Sequence, residues 1–288
     1  MTVKSSRPTS KVSLLVLSIL ALIWLLPTIG LLITSVRERT EAQRTGWWDV
    51  ILNPLSQKWE LGSYASVLSE SDLGRSFISS LAVTIPAPIL PLLFAAYAAY
   101  GFTFLTFKGR EFYFALIIGL LVVPLQGALV PVLKMFISFT ETTGIEISGQ
   151  YAAAWFVHSA FAMPLAIYIL RNYMMTIPNS LIEAARVDGG SDFTMYRYVA
   201  APLLKPGIAT VAVFTALGTW NEFLLAMIYI QNESYKTIPV GLLTFSTRYS
   251  TDYQMLFAAL TVITIPMIII YIAFNRQIVA GLTEGSLK

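Results

Sequence analysis

Two places in this chain carry residues that could do chemistry, one a polar, charged stretch between apolar runs and the other an acid and an amide inside an apolar run. The first is Glu183-Ala184-Ala185, followed by Gly189 and by Val199-Ala200-Ala201-Pro202. Its small alanines would let a helix here approach another surface closely; alternatively the stretch is an interfacial loop in which Glu183 is a capping acid. The second is Trp220-Asn221-Glu222, within a long apolar run. Placing a carboxylate in a membrane costs at least about 2.5 kcal/mol, so Glu222 needs a partner, a cavity or water. Together with Gln126, and with Thr219 beside them, these side chains offer the hydrogen bonds and aromatic faces that recognise a sugar or polyol. Alternatively they tie the run to a neighbouring helix, as polar groups inside bundles do. His158, the one histidine, reads as a packing residue.

The composition narrows what such residues can do. The 288 residues are 56% hydrophobic and 12% charged, where soluble domains carry about 25% charge, and the mean hydropathy is +0.69. The chain is therefore read as a polytopic all-α membrane protein. Having no cysteine, it has no disulfide, thiolate metal site or thiol nucleophile. No H-E-x-x-H, G-x-S-x-G or G-x-x-x-x-G-K-[ST] occurs, so catalytic, metal and cofactor sites are expected to be none, with ATP not bound through a phosphate loop. The net charge of +3 is ascribed to membrane topology, and no nucleic-acid partner is expected.

A spanning helix takes about 20 apolar residues. Six segments qualify: 14–35, 77–107, 112–133, 151–170, 207–230 and 253–274. Pro86, Pro88 and Pro91 should bend the second, and Pro124, Pro164 and Pro266 interrupt the backbone ladders of the third, fourth and sixth. Carbonyls freed in lipid require partners, so these helices should pack around something.

Eleven of the nineteen lysines and arginines fall on one side, including Lys4, Arg7, Lys11, Lys108, Arg110, Arg171, Arg186, Arg197, Lys205, Arg276 and Lys288. That side is assigned to the cytoplasm, with both termini. The resulting organisation is a cytoplasmic tail 1–13, a first span 14–36, an extracytoplasmic segment 37–76, a five-helix core 77–275 containing the loop 173–206, and a cytoplasmic tail 276–288. Trp47, Trp48 and Trp59 in the outer segment are read as interfacial anchors or as contacts for a sugar or partner. Within the loop, Ser180-Leu-Ile-Glu183 fits a capping box and the Gly189-Gly190 pair should end that helix. Ser191 or Asp192 should then cap a second helix through Tyr198, which Pro202 and Pro206 stop before a span begins at Gly207.

The loop resembles the EAA loop of the inner-membrane permease subunits of ATP-binding-cassette importers, E-A-A, three residues, Gly, nine residues, I-x-L-P. Val199 replaces the isoleucine and Ala201 the leucine. Further likeness lies in V-P-L-Q-G-A-L-V-P from Val123, W-N-E-F-L-L-A from Trp220 and the ending G-L-T-E-G-S-L-K from Gly281, which are similar to the carbohydrate-importing branch, of the maltose-transporter second-permease type. Thr45-Gly46-Trp47-Trp48 looks like permeases for α-glucosides and glucosylglycerol-type osmolytes. The resemblance implies a type I importer permease fold, with Glu183, Ala184, Ala185, Gly189 and Pro202 docking on an ATPase and Gln126, Trp220, Asn221 and Glu222 on the substrate path. It implies a second permease, a cytoplasmic ATPase dimer that holds ATP and Mg, an extracytoplasmic sugar-binding protein and a bacterial or archaeal inner membrane. A proton-coupled secondary transporter with Glu222 as relay is the alternative.

Overall fold

A computed structural model describes residues 10–69, 72–249 and 252–284, with side chains to Asn275. Lys4, Arg7, Glu70 and Lys288 lie outside the described residues, as do residues 285–288 of the terminal motif and the side chain of Arg276. Among the described residues the elements are helical, apart from one antiparallel bridge between Arg37 and Trp59.

Four helices are long and apolar enough to cross a membrane, over Lys11–Val36, Leu73–Phe104, Tyr151–Met174 and Tyr253–Asn275. Two further helix pairs pass the same test only together. Arg110–Val122 meets Leu125–Thr143 at 99°, and Asp192–Leu203 meets Lys205–Asn221 at 69°. The third expected span is therefore no continuous helix. Pro124, with no N–H to donate and an extended ψ of 124°, flanks the second half of that pair, which runs on to Thr143. The fifth is corrected too: its helix starts at Lys205, ahead of Gly207, and ends at Asn221, well short of Ile230.

By contacts the chain divides into two compact units, Met1–Leu73 with Leu243–Ile265 and Gly74–Leu242 with Pro266–Lys288. Residues 243–265 fall in the first of these units.

In the first unit, α1 (Lys11–Val36) displays apolar side chains on nearly every side, Trp24 being 83% exposed. After it come α2 (Arg39–Arg44), α3 (Asp49–Leu52) and α4 (Gly62–Ser69). Their organiser is Arg37, whose side chain is wholly buried. Its Nε donates to Gln57 Oε1 at 3.0 Å, Nη1 to the carbonyls of Thr45 and Gly46 at 3.1 and 3.0 Å, and Nη2 to Thr45 Oγ1 at 2.5 Å. The planar guanidinium fork makes one residue hold three segments at once. Asp49 stands 3.9 Å away; hydrogen bonds from Asn53 and Gln57, and then the Arg37 charge, lower its pKa below the ordinary 3.8. Trp47 packs against Gly30 of α1, and a Cβ there would come within 2.7 Å of the indole. The Thr45–Trp48 stretch thus has a structural part in the segment that follows α1, with Trp48 and Trp59 still more than half exposed.

The second unit is built on α5 (Leu73–Thr84), α6 (Ile89–Phe104), α7 (Arg110–Gly119), α8 (Leu125–Thr143) and α9 (Tyr151–Met174). Helices α6 and α9 pack through Ala95, Ala96 and Ala99 against Ala166, Ile167 and Leu170, small residues bringing the backbones together where lipid gives no hydrophobic drive. The turn between α5 and α6 contains Pro86 and Pro88, as the sequence led us to expect. Pro86 and Pro91 deprive the carbonyls four residues earlier, Ala82 and Ala87, of their helical donors. Helix α9 supplies replacements: Trp155 Nε1 donates to the Ala82 carbonyl at 2.9 Å and Ser159 Oγ to that of Ala87 at 3.1 Å.

The chain continues through α10 (Asn179–Val187), α11 (Asp192–Met195), a π-turn at Tyr196–Ala200, α12 (Ala201–Leu203), α13 (Lys205–Asn221), α14 (Leu224–Tyr229), α15 (Ile238–Arg248) and α16 (Tyr253–Glu284). Helix α16 leaves helical geometry at Phe274.

Candidate functional site

Helix α10 begins at Asn179, so Ser180 lies inside it and forms no capping box with Glu183. Pro178 takes the flanking position instead, its fixed φ of −59° setting the entry and its carbonyl accepting the Leu181 N–H at 3.1 Å. The helix ends as expected. Gly189, at φ +82°, adopts the left-handed turn, and Gly190 donates back to the Ala185 carbonyl at 3.0 Å. Ser191 caps α11, accepting the Thr194 N–H at 3.3 Å. Past that point the expectation fails. The helix does not stop at Tyr198 but passes through the π-turn, and Pro202 sits in the first turn of α12, where its missing N–H costs little.

The two sides of this loop differ. Ile182 and Met195 are buried and join Ile177, Ala200 and Leu204 in the same core as α6 and α9, with Ala185 packed against them. Glu183, Ala184 and Arg186 face outward, as do Val187 at 87% and Phe193 at 57% exposure. Arg186 pairs with Asp192 at 3.5 Å across the turn, both well exposed. The loop is therefore a surface ridge with charged and apolar groups, rooted in the helix packing beneath.

The second site lies where α13 ends. Glu222 is not within a helix but in an extended break, with ψ 120°. Its carboxylate accepts three backbone N–H groups of the next helix, with Oε1 3.0 Å from Leu224 N and Oε2 2.6 and 3.3 Å from Leu225 N and Ala226 N. Helix-start amides carry partial positive charge, which accounts for the carboxylate being held in this break. Glu222 also borders a cavity of about 260 Å³, with His158, Phe161, Phe214, Thr215 and Thr219.

The four residues expected on a substrate path are not brought together. Glu222 lines the cavity, while Gln126 is exposed elsewhere and only its neighbour Leu125 reaches it. Trp220 is buried edge-on to Phe77 at 5.7 Å, its Nε1 without a partner among the described residues. Asn221 is exposed and donates to the Leu217 carbonyl at 2.9 Å. His158, read from sequence as packing, faces the cavity. Its signal was present: 158, 161, 162, 165, 166 and 169 recur at helical spacing along one stripe of α9 and all line the cavity.

Residues 76–283 match the family described as binding-protein-dependent transport system inner membrane component. Over 271 residues the chain is 37% identical to the osmoprotective compounds uptake permease protein GgtD of Synechocystis sp., an alignment covering 93% of this chain and 89% of that protein. It is 38% identical over 232 residues to the alpha-glucoside transport system permease protein AglG of Rhizobium meliloti, covering 80% of this chain and 61% of the relative. Among solved structures it resembles a bacterial ABC transporter involved in the import of the acidic polysaccharide alginate, with TM-score 0.75 over 96% of this chain and 98% of that one. At 22% identity that likeness is one of fold.

Proposed function

This chain belongs to the binding-protein-dependent transport system inner membrane component family, and from that premise we propose that it is the permease subunit through which a carbohydrate enters the cytoplasm. The solute class we favour is an α-glucoside, a disaccharide or a glucosylglycerol-like osmolyte, on the strength of what the two relatives are named for. Separate ATPase subunits, holding ATP and Mg, energise it. A second permease completes the pathway, and an extracytoplasmic binding protein delivers the solute. Both termini and the loop 173–206 are cytoplasmic.

The observation that carries the reading is the two-sided loop. Glu183, Val187 and Phe193 stand out to meet another protein, while Ile182 and Met195 on the opposite side share a core with α6 and α9. A partner that shifts the outer side moves the core side with it, since packed cores change between discrete arrangements and do not stretch. ATP binding closes the ATPase pair, the loop follows, and the spans reorient toward the outside. Glu222, engaged by three backbone amides, serves here as a fixed cap and not as a proton relay.

The test is Glu183→Ala combined with Gly189→Asp in the assembled transporter. We expect the chain to reach the membrane, with ATP hydrolysis no longer driving uptake. Wild-type uptake in that variant refutes the coupling role. Purification of the tagged chain in mild detergent should bring down an ATPase and a second permease.

A further inference from the structure

We propose that the cavity bordered by α9, α13 and Glu222 is a polyol subsite on this chain, in which Thr215, Thr219 and His158 hydrogen-bond the hydroxyls of one sugar ring and Phe161 and Phe214 cover its C–H faces. The inference rests on the carbohydrate reading above and adds to it a location and a set of contacts.

Hydroxyl satisfaction supports it first. Helical threonines in this chain commonly donate to the carbonyl four residues back, as Thr103, Thr140, Thr210, Thr261 and Thr264 do. Thr215 and Thr219 sit in the same kind of helix, line the cavity, and make no such bond among the described residues. His158 is 92% buried, from its 8% exposure, and its ring nitrogens likewise have no protein partner among the described residues. Facing open cavity space with no bond to the described residues, these groups are free to hydrogen-bond the hydroxyls of an occupant.

Shape and chemistry agree with that occupant. About 260 Å³ lies just below the range of about 300–1,000 Å³ usual for small-molecule pockets, enough for one sugar ring with a short substituent and too little for an oligosaccharide. Phenyl rings beside hydroxyl and imidazole groups match the alternation of apolar faces and polar edges on a pyranose. The cavity is also graded. From His158 to Ile169, and again from Glu222 to Val211, eleven residues of each element separate a polar end from an apolar one, a length of about 16 Å in helix. A sugar is therefore held at the end with His158, Thr219 and Glu222 and meets a dry barrier toward Ile169 and Val211.

The experiment uses the complete transporter in proteoliposomes, with radiolabelled trehalose, sucrose and glucosylglycerol as probes. Thr219→Val keeps the side-chain shape and removes the hydroxyl; His158→Phe keeps a ring and removes both nitrogens. We expect each to raise the uptake KM for the transported probe about tenfold, with a smaller change in kcat. An unchanged KM in both, with wild-type uptake intact, overturns the subsite and leaves the importer reading standing. Wild type that transports none of the three sugars overturns both. Because the chain has no cysteine, Thr219→Cys gives this subunit one thiol, whose labelling is read on the separated subunit and does not depend on uptake. Modification by a charged thiol reagent, slowed by the transported probe, is the expected result. A thiol that stays unreactive with and without nucleotide shows the cavity closed by a neighbouring helix and overturns the proposal.

Discussion

The indole Nε1 of Trp155 donates to the carbonyl of Ala82 at 2.9 Å, which is the carbonyl that Pro86 leaves without a helical donor. A break in a membrane span is tolerable when another helix supplies what the ladder lost, and α9 does so here. Trp155→Phe should therefore destabilise by about 1–3 kcal/mol, the cost of an orphaned buried acceptor. Adding Pro86→Ala returns an N–H to the ladder and should recover part of that loss. A double-mutant cycle by thermal melting of the purified complex checks this, and strict additivity of the two changes would refute the pairing.

The segment 37–60 should respond to acid through Asp49. Hydrogen bonds from Asn53 and Gln57, reinforced by the Arg37 charge, lower its pKa below 3.8. A lowered folded-state value means the carboxylate contributes stability above its ordinary pKa and loses it as the pH falls through the folded one. Protection of residues 37–60 against an acid-active protease should hold down to about pH 4 and weaken below it. Asp49→Asn should remove that pH step; a step of unchanged size would assign it to another group.

Much of the architecture was legible in the sequence because hydropathy reports membrane spans directly. The six segments correspond to four helical stretches long enough to span, one of them turning at Pro86 and Pro88, and to two more sharply bent pairs. What proved hard to read was backbone phase and competition between local signals. Pro178 displaced the Ser180 cap because its own geometry starts the helix two residues earlier. The break at Glu222 contains no proline or glycine, so nothing in its local composition marked it. Once the helix stops there, phase separates the candidate residues. Thr219 and Glu222, three apart, both line the cavity, while Trp220, turned by about 100° from Thr219, is buried against Phe77. Nothing in the sequence singled out Arg37 from the other cations of its segment. Its burial depends on carbonyls eight and nine residues on, a relationship no periodic pattern displays.

The two glycines of the loop should tolerate substitution differently. At Gly189 a Cβ meets open space, but φ is +82°, a conformation that asparagine adopts more readily than alanine. At Gly190 the backbone is ordinary, but a Cβ would lie 2.7 Å from the Ala185 carbonyl oxygen. Gly189→Asn should then retain most uptake and Gly189→Ala less, with Gly190→Ala losing the most. Uptake in matched membranes provides the ranking, and a well-functioning Gly190→Ala would show that the turn can open.

Adjacent residues on α10 should separate anchoring from docking. Ile182 is 4% exposed within the core that includes α6 and α9, whereas Glu183 is on the surface. Ile182→Ala leaves a hole there and should cost about 2–5 kcal/mol, against about 0.5–1.5 kcal/mol for Ile182→Val. Glu183→Ala removes no buried contact and should change stability by no more than about 0.5 kcal/mol. If the loop transmits motion through this root, Ile182→Ala retains ATPase binding yet lowers the uptake obtained per ATP hydrolysed, and Ile182→Val restores most of it. Glu183→Ala weakens ATPase binding itself, at an unchanged melting temperature. The check is co-purification, thermal melting and the ratio of uptake to hydrolysis measured on all three variants. Loss of ATPase binding in Ile182→Ala equal to that in Glu183→Ala would mean that the root and the ridge act as a single docking surface, with no separate path for the motion.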